Sequence, residues 1–397
     1  MISQVTIVGG GMITHDQILP AFLQLQRLGL VDEIAVCARH GRTIAELNAA
    51  ADIHRAFPNG RWRGFPPGNV HPDEAQPDLY RSLIAAMPKR NLVVIALPDQ
   101  AHFDGVMAAL VCDQHVVCVK PLVLTAREAE AIEREARERQ LFVGIEYHKR
   151  FDDRSLMARQ RYRAGAFGDF RLGSAVLMEK WYYRHSRFER WFTAEHTDAF
   201  TYIGCHYVDL VAFITGLEPA RISVYGIRDK LPGGAEGFLW TDARVIWENG
   251  ACLNVQNSLS FPDAAPGSNT QGLTLYCSGN DRGGLVRHSD QYRGLEYVYV
   301  QVPDAPGATA YAEPSPDYFQ YVETGGEGLT PVGYGYRSIE HLVRACVRVE
   351  AAADRAAELA AIDSEGILAT PANSRYNERT IEAARKSILS GGAEVAL

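Results

Sequence analysis

Over residues 1–146, short apolar runs alternate with longer amphipathic stretches. The apolar runs, which we interpret as strands, are Gln4–Val8, Glu33–Cys37, Leu92–Leu97, Val116–Val119 and Leu141–Glu146. Continuous β-branched strands joined by helices are typical of a parallel sheet that is covered on both faces. The pattern therefore predicts a doubly wound α/β domain over residues 1–146, with a polar insertion between His54 and Gln76.

Beyond Tyr147 the pattern changes to longer alternating strands, with the strongest hairpin signal at Asn249-Gly250. The predicted strands are Phe170–Met178, Arg221–Ile227, Ala243–Trp247, Cys252–Ser258, Gly272–Cys277, Leu285–His288 and Glu296–Val302, and a loop is predicted at Pro303–Pro316. Few helices interrupt them, so residues 147–397 are expected to form a second α/β domain with a large, open, mostly antiparallel sheet. Since an uncovered apolar sheet face usually needs a partner, we expect a homodimer or homotetramer.

Composition and charge narrow the class of protein. A chain of 397 residues exceeds one ordinary core, and its 47% hydrophobic and 22% charged content is typical of a soluble globular protein. The net charge of -8 argues against a nucleic-acid partner. With neither a membrane-length apolar run nor a signal-peptide pattern, a cytoplasmic protein without a membrane partner is expected. The seven cysteines lack CxxC spacing and are expected to be reduced packing residues.

Three glycines, Gly9, Gly10 and Gly11, follow the first strand directly and precede a helix-like stretch toward Leu28. Gly9 permits a tight turn, and Gly11 lets a pyrophosphate approach the backbone beside the first N–H groups of the helix. Thr14 stands where the usual GxGxxG pattern has its third glycine. Such turns also serve plain packing, but the strand before and the helix after favour dinucleotide binding.

The residues after the second strand bear on the choice between NAD and NADP. Ala38 provides no carboxylate for the ribose hydroxyls, whereas Arg39 and Arg42 could bind a 2′-phosphate. The alternative is that both arginines are solvated charges at the start of a helix. The sequence therefore favours NADP without excluding NAD. The predicted cofactor-binding residues are Gly9, Gly11, Met12, Ile13, Arg39, Pro98, His102 and Lys120.

Lys120 follows the predicted strand Val116–Val119, at the edge where ligands bind in a doubly wound sheet. A lysine at a strand end is often a solvated charge. A nicotinamide-dependent enzyme, however, needs a cation beside the reacting alcohol to hold it and to stabilise the developing alkoxide. We therefore interpret Lys120 as a catalytic candidate.

A predicted helix over Thr197–Gly216 carries a second candidate. Its packing stripe consists of Ile203, Tyr207, Leu210, Val211 and Ile214. Tyr202, His206 and Asp209 fall on an adjacent face, where a hydrogen-bonded core histidine is the alternative to a functional one. Because the pKa of histidine lies near working pH, His206 is the candidate proton acceptor. No metal site is expected, since Asp198 and His206 lie two helical turns apart.

Five motifs occur in the order and spacing of one family. They are GGG at 9–11, PDQAH at 98–102, VKPLVLT at 119–125, GIEYHKRFD at 144–152 and GCHYVDL at 204–210. Over nearly its whole length the chain resembles the glucose–fructose oxidoreductase / inositol dehydrogenase / rhizopine-catabolism (Gfo/Idh/MocA) family. The resemblance implies a Rossmann domain and a larger α/β domain whose open sheet mediates oligomers. It also implies NAD(P)-dependent oxidation or reduction of a sugar or cyclitol.

By position, the resemblance makes Lys120 the lysine of the family's Glu-Lys-Pro motif and His206 its catalytic histidine. Three residues depart from the family pattern. Val119 replaces the usual glutamate, and His148 stands where many members have asparagine. Tyr202 occupies the position of an aspartate in members similar to inositol dehydrogenase, so the resemblance implies a catalytic set of Lys120, Tyr202 and His206.

The stretch Lys180–Trp191 is dense in aromatic and cationic residues. Flat aromatic faces suit sugar rings, and clustered arginines suit a carboxylate, sulfonate or phosphate, which favours an anionic sugar. The alternative is a packed loop at a subunit contact. The predicted substrate-binding residues are Lys120, Tyr147, His148, Lys180, Tyr182, Arg184 and His206.

The sequence thus predicts an oxidoreductase that transfers a hydride between nicotinamide and a secondary hydroxyl or ketone of a sugar, glycoside or cyclitol. One alternative is an NAD-dependent glycoside hydrolase, which oxidises the sugar transiently and eliminates the aglycone. Another is a redox sensor that binds dinucleotide without turnover, although the presence of Lys120 and His206 speaks against it.

Overall fold

The computed structural model describes residues 1–185, 187–265, 269–279, 282–290 and 317–397. The predicted strand Glu296–Val302 and the predicted loop Pro303–Pro316 lie outside these residues. Two compact units divide the chain. Unit 1 comprises Met1–Val123, Arg127–Phe151 and Tyr318–Arg375, and unit 2 comprises Leu124–Ala126, Asp152–Asp317 and Tyr376–Leu397.

Unit 1 is built on a parallel sheet. Its strands are β1 (Ile2–Val8), β2 (Val31–Cys37), β3 (Arg63–Phe65), β4 (Leu92–Ile95), β5 (His115–Val119) and β6 (Val143–Glu146). Their order is β3-β2-β1-β4-β5-β6, and every neighbouring pair is parallel. This is the Rossmann order, in which ligands bind outside the carboxyl ends of the strands, and it confirms the predicted doubly wound sheet. The polar insertion contributes β3, which the sequence pattern did not indicate.

Helices connect these strands and cover the sheet. They are α1 (Leu19–Arg27), α2 (Gly41–Asn48), α3 (Ala51–Ala56), α4 (Leu79–Ala86), α5 (His102–Val111) and α6 (Ala126–Glu138). A π-helical turn, Thr14–Ile18, leads into α1. Ile18, Phe22 and Leu25 follow at helical spacing and are buried in the core of unit 1.

Unit 2 contains the second sheet. Its elements begin with α7 (Asp153–Arg163), β7 (Asp169–Lys180), α8 (Cys205–Thr215), β8 (Pro219–Lys230), β9 (Glu236–Trp247), β10 (Cys252–Phe261), β11 (Asn269–Gly279) and β12 (Arg282–Ser289). Among the described residues the strand order is β12-β11-β7-β10-β9-β8, and only the pair β7–β10 is parallel. The predicted large, mostly antiparallel sheet is confirmed. Gly250 in the β9–β10 turn has a positive φ of 80°, which explains the hairpin signal there.

After residue 317 the chain returns to unit 1, a difference from the single boundary expected at 146/147. This segment contains β13 (Gln320–Val322), β14 (Thr330–Val332), α9 (Tyr334–Ala351) and α10 (Arg355–Glu365). The segment belongs to unit 1 because an apolar stripe along α9 is buried in the core of that unit. It consists of Ile339, Leu342, Val343, Cys346 and Val349. The last elements, α11 (Tyr376–Leu389) and β15 (Val395–Ala396), belong to unit 2, where β15 pairs with β8.

One face of the second sheet exposes large apolar side chains. Leu172 on β7 lies opposite Tyr276 on β11, which lies opposite Leu285 on β12. Their exposed fractions are 57%, 51% and 49%. The three therefore form a contiguous apolar row across adjacent strands, and among the described residues their side chains are exposed.

All seven cysteines lie in the described part of the chain. None forms a disulfide, and five are buried. Burial raises the pKa of the Cys37 thiol to about 12. Within the described ranges, no helix combines the length and the apolar character that a membrane span requires.

Candidate active site

The turn after β1 has the geometry of a dinucleotide-binding turn. Gly9 has a φ of 114°, and a Cβ at this position would lie 2.0 Å from the carbonyl oxygen of Ala96. No other residue type fits there. A Cβ on Gly10 would lie 2.8 Å from Thr43 Cγ2, so Gly10 is needed for packing.

Gly11 differs from its two neighbours because nothing lies within 4 Å of the position that its Cβ would occupy. The helical residues begin at Met12, directly after this open position. The first N–H groups of a helix have no partner within the helix and attract anions. The turn therefore leaves room for the pyrophosphate of a dinucleotide, and Met12 and Ile13 lie at the helix start.

Thr14 replaces the third glycine of the usual pattern and is completely buried. Its hydroxyl donates a hydrogen bond of 2.7 Å to the carbonyl oxygen of Gly9. The side chain thus closes the turn from inside, a role that the sequence pattern did not indicate.

At the end of β2, Ala38 is buried and Arg39 is exposed. Arg42 forms an ion pair with Asp73, with 2.7 Å between Nη1 and Oδ1. The two candidate arginines therefore differ in their charge environment: the charge of Arg42 is compensated by Asp73, and Arg39 is exposed to solvent.

His102 was predicted to bind the cofactor, but its side chain is buried and supports the backbone. Its ring nitrogens lie 2.7 Å from the carbonyl oxygen of Pro121 and 2.8 Å from that of Leu97. Pro98 follows Leu97 in the loop after β4, and Lys120 precedes Pro121 in the loop after β5. His102 therefore holds together the two loops that carry these predicted site residues.

Lys120 directly follows β5 at the carboxyl edge of the sheet and is partly buried. The neighbouring strand β6 ends at Glu146, whose carboxylate is buried. Gln17 and Ser338 donate hydrogen bonds to Glu146 Oε1 at 2.8 Å and 2.6 Å. The sequence pattern did not indicate this buried network, because Ser338 is distant in the chain. A carboxylate at the end of a buried strand was the available signal.

The junction residues after β6 divide into a buried and a partly accessible one. The Tyr147 ring is buried in unit 1. His148 lies with its Nδ1 3.0 Å from Glu146 Oε2, and its ring stacks on Tyr334 with 5.5 Å between centroids. His148 is therefore held in one orientation at the carboxyl edge of the sheet.

In unit 2, His206 lies in the first turn of α8 and is 5% exposed. Tyr202 precedes it in a π-helical turn, Phe200–Gly204, instead of the regular α-helix that was predicted. Such π-turns occur frequently at functional sites. A Cβ on Gly204 would lie 2.4 Å from Asn257 Oδ1, so this turn approaches β10 closely.

The ring of Tyr202 is fixed by an aromatic cluster. It makes edge-to-face contacts with Phe188, Trp191 and Phe192 at centroid distances of 5.1, 5.7 and 5.6 Å. Burial raises the pKa of the neighbouring Tyr183 well above its usual range. Within the Lys180–Trp191 stretch, Phe188 and Trp191 therefore pack against Tyr202.

The sequence places Asp209 on the same helix face as Tyr202 and His206, but in the structure its carboxylate bonds to residues of α11. Its Oδ1 accepts hydrogen bonds from Asn377 Nδ2 at 2.9 Å and from the Tyr376 hydroxyl at 3.2 Å. Asp209 therefore joins α8 to α11.

Two predicted substrate-binding cations are internal instead. Lys180 Nζ donates to the carbonyl oxygens of Pro262, Asp263 and Ala265 at 3.2, 3.0 and 2.5 Å, and burial lowers its pKa. Its ammonium thus stabilises the loop after β10. Because three carbonyls already surround it, the assignment of Lys180 to the substrate is corrected.

Arg184 is 2% exposed and lies between two tryptophan rings, 3.7 Å from the Trp181 centroid and 4.6 Å from the Trp240 centroid. It donates to the Leu259 carbonyl and to Asp229, both at 2.6 Å. Arg184 is therefore a structural residue.

Tyr182 remains partly accessible. Its ring stacks on Tyr183 with 4.7 Å between centroids, and its N–H donates to Asp263 Oδ1 at 2.9 Å. The side chains of Arg187 and Arg190 lie outside the described part of the structure.

Comparison with protein families covers the candidate residues of each unit. Residues 3–147 match an oxidoreductase family with an NAD-binding Rossmann fold, and residues 155–279 match the GFO/IDH/MocA C-terminal domain. The chain belongs to the Gfo/Idh/MocA family. The dinucleotide turn and Lys120 lie in the first matched region, and His206 lies in the second.

Curated relatives match part of the chain. The scyllo-inositol 2-dehydrogenase (NADP(+)) IolW of Bacillus subtilis (strain 168) is 27% identical over 135 residues, which are 34% of this chain and 37% of IolW. The rhizopine catabolism protein MocA of Rhizobium meliloti is 28% identical over 145 residues, 36% of this chain and 44% of MocA. These alignments span less than half of each relative.

Solved structures of other proteins have a similar fold. The scyllo-inositol dehydrogenase from Lactobacillus casei with bound NAD(H) and scyllo-inositol has a TM-score of 0.63 at 14% identity, covering 100% of this chain and 99% of that one. GenD2 from gentamicin A biosynthesis, in complex with NAD, has a TM-score of 0.68 at 17% identity, covering 100% and 96%.

Proposed function

We propose that this protein is an NAD(P)-dependent dehydrogenase or reductase that acts on a secondary hydroxyl or ketone of a sugar, glycoside or cyclitol. The observation that carries the proposal is Lys120 at the carboxyl end of β5, in the same sheet edge as the glycine turn after β1. Ligands of doubly wound sheets bind along this edge. A cation there suits an alcohol that becomes an alkoxide.

The proposed roles follow from the chemistry of the side chains. Lys120 binds and polarises the reacting hydroxyl, and His206 accepts its proton. Tyr202 orients His206 or shares the proton transfer, since the aromatic cluster holds its ring in one position. The dinucleotide, when bound, supplies hydride transfer at the nicotinamide.

The binding residues are assigned on the same basis. Gly9, Gly11, Met12 and Ile13 hold the pyrophosphate, and Arg39 contacts the adenosine ribose. We infer a preference for NADP, since Ala38 lacks a carboxylate and Arg39 is exposed. The relative IolW, whose name specifies NADP(+), supports this inference. Partly accessible Tyr182 and His148 are the remaining candidates for sugar contact.

The protein is proposed to be a cytoplasmic homo-oligomer that associates through the exposed face of the second sheet. The apolar row of Leu172, Tyr276 and Leu285 supports this proposal. Since Lys180 and Arg184 are engaged internally, an anionic group on the sugar is no longer needed to explain them. A neutral sugar or cyclitol is therefore equally compatible with the described residues.

The test is a panel of sugars, sugar acids, cyclitols and aryl glycosides, assayed with NAD and NADP. A substrate-dependent change in absorbance at 340 nm is the expected result. Aglycone release without net reduction would instead identify a redox-neutral glycoside hydrolase. Dinucleotide binding without turnover of any substrate would indicate a sensor.

Variants then test the assigned roles. Removing a positioned general base typically lowers the rate by about 10²–10⁴-fold, so His206→Ala and Lys120→Ala should lose most of kcat while still binding dinucleotide. Tyr202→Phe separates an orienting role, with a smaller loss, from direct proton transfer. A folded His206→Ala variant with near-normal turnover would exclude the proposed role of His206.

A further inference from the structure

The part of the polar insertion that follows β3 lies against the turn after β2. The N–H of Gln76 donates to the carbonyl oxygen of Arg39 at 2.8 Å, and the N–H of Arg42 donates to that of Pro72 at 3.0 Å. Two backbone hydrogen bonds thus attach the segment Pro72–Gln76, here called the cover loop, to this turn.

The covered turn adjoins the dinucleotide turn. The N–H of Gly9 donates to the carbonyl oxygen of Cys37 at 2.8 Å, and a Cβ on Gly10 would lie 3.1 Å from Ala38 Cβ. In a doubly wound fold the residues after the second strand face the adenosine ribose. The cover loop therefore lies beside the position where NAD has a 2′-hydroxyl and NADP has a 2′-phosphate.

The cover loop also changes the charge of this turn. Asp73 pairs with Arg42 at 2.7 Å, and its carbonyl oxygen lies 3.3 Å from His40 Nδ1. Arg39 is exposed, and it forms no ion pair with another residue of the described ranges. Only one of the two arginines is therefore uncompensated.

We propose that Asp73 is a specificity-determining residue that weakens binding of the 2′-phosphate by compensating Arg42. The inference rests on the proposed binding of a dinucleotide at the glycine turn, but not on the identity of the sugar. The 2′-phosphate carries nearly two negative charges, whereas the 2′-hydroxyl is neutral. A carboxylate beside Arg42 therefore disfavours NADP and leaves NAD almost unaffected.

The size of the effect follows from exposure. Both partners of the ion pair are partly exposed, with 41% and 61% of their side-chain surfaces accessible, so water screens their charges. In water, the interaction of two unit charges 4 Å apart changes a binding constant by roughly fivefold. Removing the Asp73 charge should accordingly tighten binding of a 2′-phosphate by about three- to tenfold.

The experiment measures binding of 2′,5′-ADP and 5′-AMP to the full chain by calorimetry, so that no substrate is needed. Asp73→Asn should bind 2′,5′-ADP about three- to tenfold more tightly than the wild type and bind 5′-AMP unchanged. Glu74→Gln is the matched control, because Glu74 belongs to the same loop but accepts a hydrogen bond from Gln76 Nε2 at 2.6 Å instead. It should change neither affinity by more than about twofold.

A double variant tests whether Arg42 mediates the effect. Adding Arg42→Gln to Asp73→Asn should return the affinity ratio of the two nucleotides toward the wild-type value. An unchanged ratio in Asp73→Asn, or an equal gain in Glu74→Gln, would overturn the inference alone. Weaker 5′-AMP binding by Asp73→Asn would overturn it in favour of Asp73 as a ribose ligand. Failure of the wild type to bind either nucleotide would reject the proposed function as well.

Discussion

The hydroxyl of Thr14 donates a 2.7 Å hydrogen bond to the carbonyl oxygen of Gly9 inside the dinucleotide turn. A glycine at this position would leave the carbonyl without that donor. The departure from GxGxxG is thus compensated. A glycine at this position allows the turn, whereas the threonine hydroxyl also holds the turn in place by a hydrogen bond.

The Thr14 hydrogen bond predicts a loss of stability and of cofactor affinity in Thr14→Val. Removing the donor while keeping the shape should cost about 1–3 kcal/mol, since the group is buried. Urea unfolding and titration with NAD(P)H measure the two effects. Thr14→Ser keeps the hydroxyl and is the control, so equal stability of the two variants would contradict the assigned role.

The absence of an acidic side chain at Ala38 allows a prediction of how an introduced carboxylate changes the choice between NAD and NADP. Ala38→Asp should shift the preference toward NAD, because an aspartate can bind both ribose hydroxyls and repel a 2′-phosphate. The wild type should bind NADP(H) at least as well as NAD(H). A wild type that binds NAD at least tenfold more tightly, about 1.4 kcal/mol, would disprove the inferred NADP preference.

The burial of Arg184 between two tryptophan rings predicts that its loss affects stability more than substrate binding. Arg184→Ala should lower the free energy of unfolding by about 2–4 kcal/mol, as the Leu259 carbonyl loses its donor and the stacking is lost. Arg171→Ala removes an exposed arginine paired with Asp169 and should cost less than about 1 kcal/mol. A stable Arg184→Ala enzyme with a raised KM would restore the substrate-binding assignment.

A buried histidine in unit 1 predicts acid sensitivity. His115 Nδ1 accepts the Phe142 N–H at 2.9 Å, so its Nε2–H donates to Glu350 at 2.9 Å, and burial lowers the pKa of His115. Burial also opposes ionisation of Glu350, but the hydrogen bonds from His115 and Arg90 bring the pKa of Glu350 down to about 2.

Because the folded state binds the His115 proton more weakly than the unfolded state, the stability present above pH 6.5 is lost as the pH falls below that value. His115→Gln should lose less stability between pH 7.5 and pH 5.5 than the wild type, by up to about 1.4 kcal/mol. The stabilisation that comes from the lowered pKa of Glu350 is lost at more acidic pH, between pH 4.5 and about 2. Denaturant unfolding at both pH values measures the difference, and equal losses would refute the prediction.

The apolar row on the second sheet predicts the response of the assembly to one charge. Leu172→Glu should dissociate the proposed oligomer, because Leu172 lies at the end of the row formed with Tyr276 and Leu285. Light scattering coupled to size exclusion measures the mass. Met157→Glu replaces another exposed apolar residue, on α7, and should leave the mass unchanged. A monomeric wild type would contradict the proposed association.

Patterns within a few neighbouring residues were enough to predict much of this protein. The strand before Gly9, the hairpin at Asn249-Gly250 and the buried stripe from Ile203 to Ile214 all depend on local backbone preference or helical period. The sequence therefore determined the Rossmann sheet and the mostly antiparallel second sheet, and it indicated Lys120 and His206 as candidates whose roles stay predictions.

Tertiary structure decided the features that depend on residues far apart in the chain. From the sequence, both Lys180 and Arg42 are available to bind a ligand. In the structure, the carbonyl oxygens of Pro262, Asp263 and Ala265 surround Lys180, and Asp73 of the cover loop forms an ion pair with Arg42. The return of Tyr318–Arg375 to unit 1 depends likewise on α9 finding its core. Charges and apolar stripes specify what must be compensated or buried, whereas only the folded chain specifies which distant residue does so.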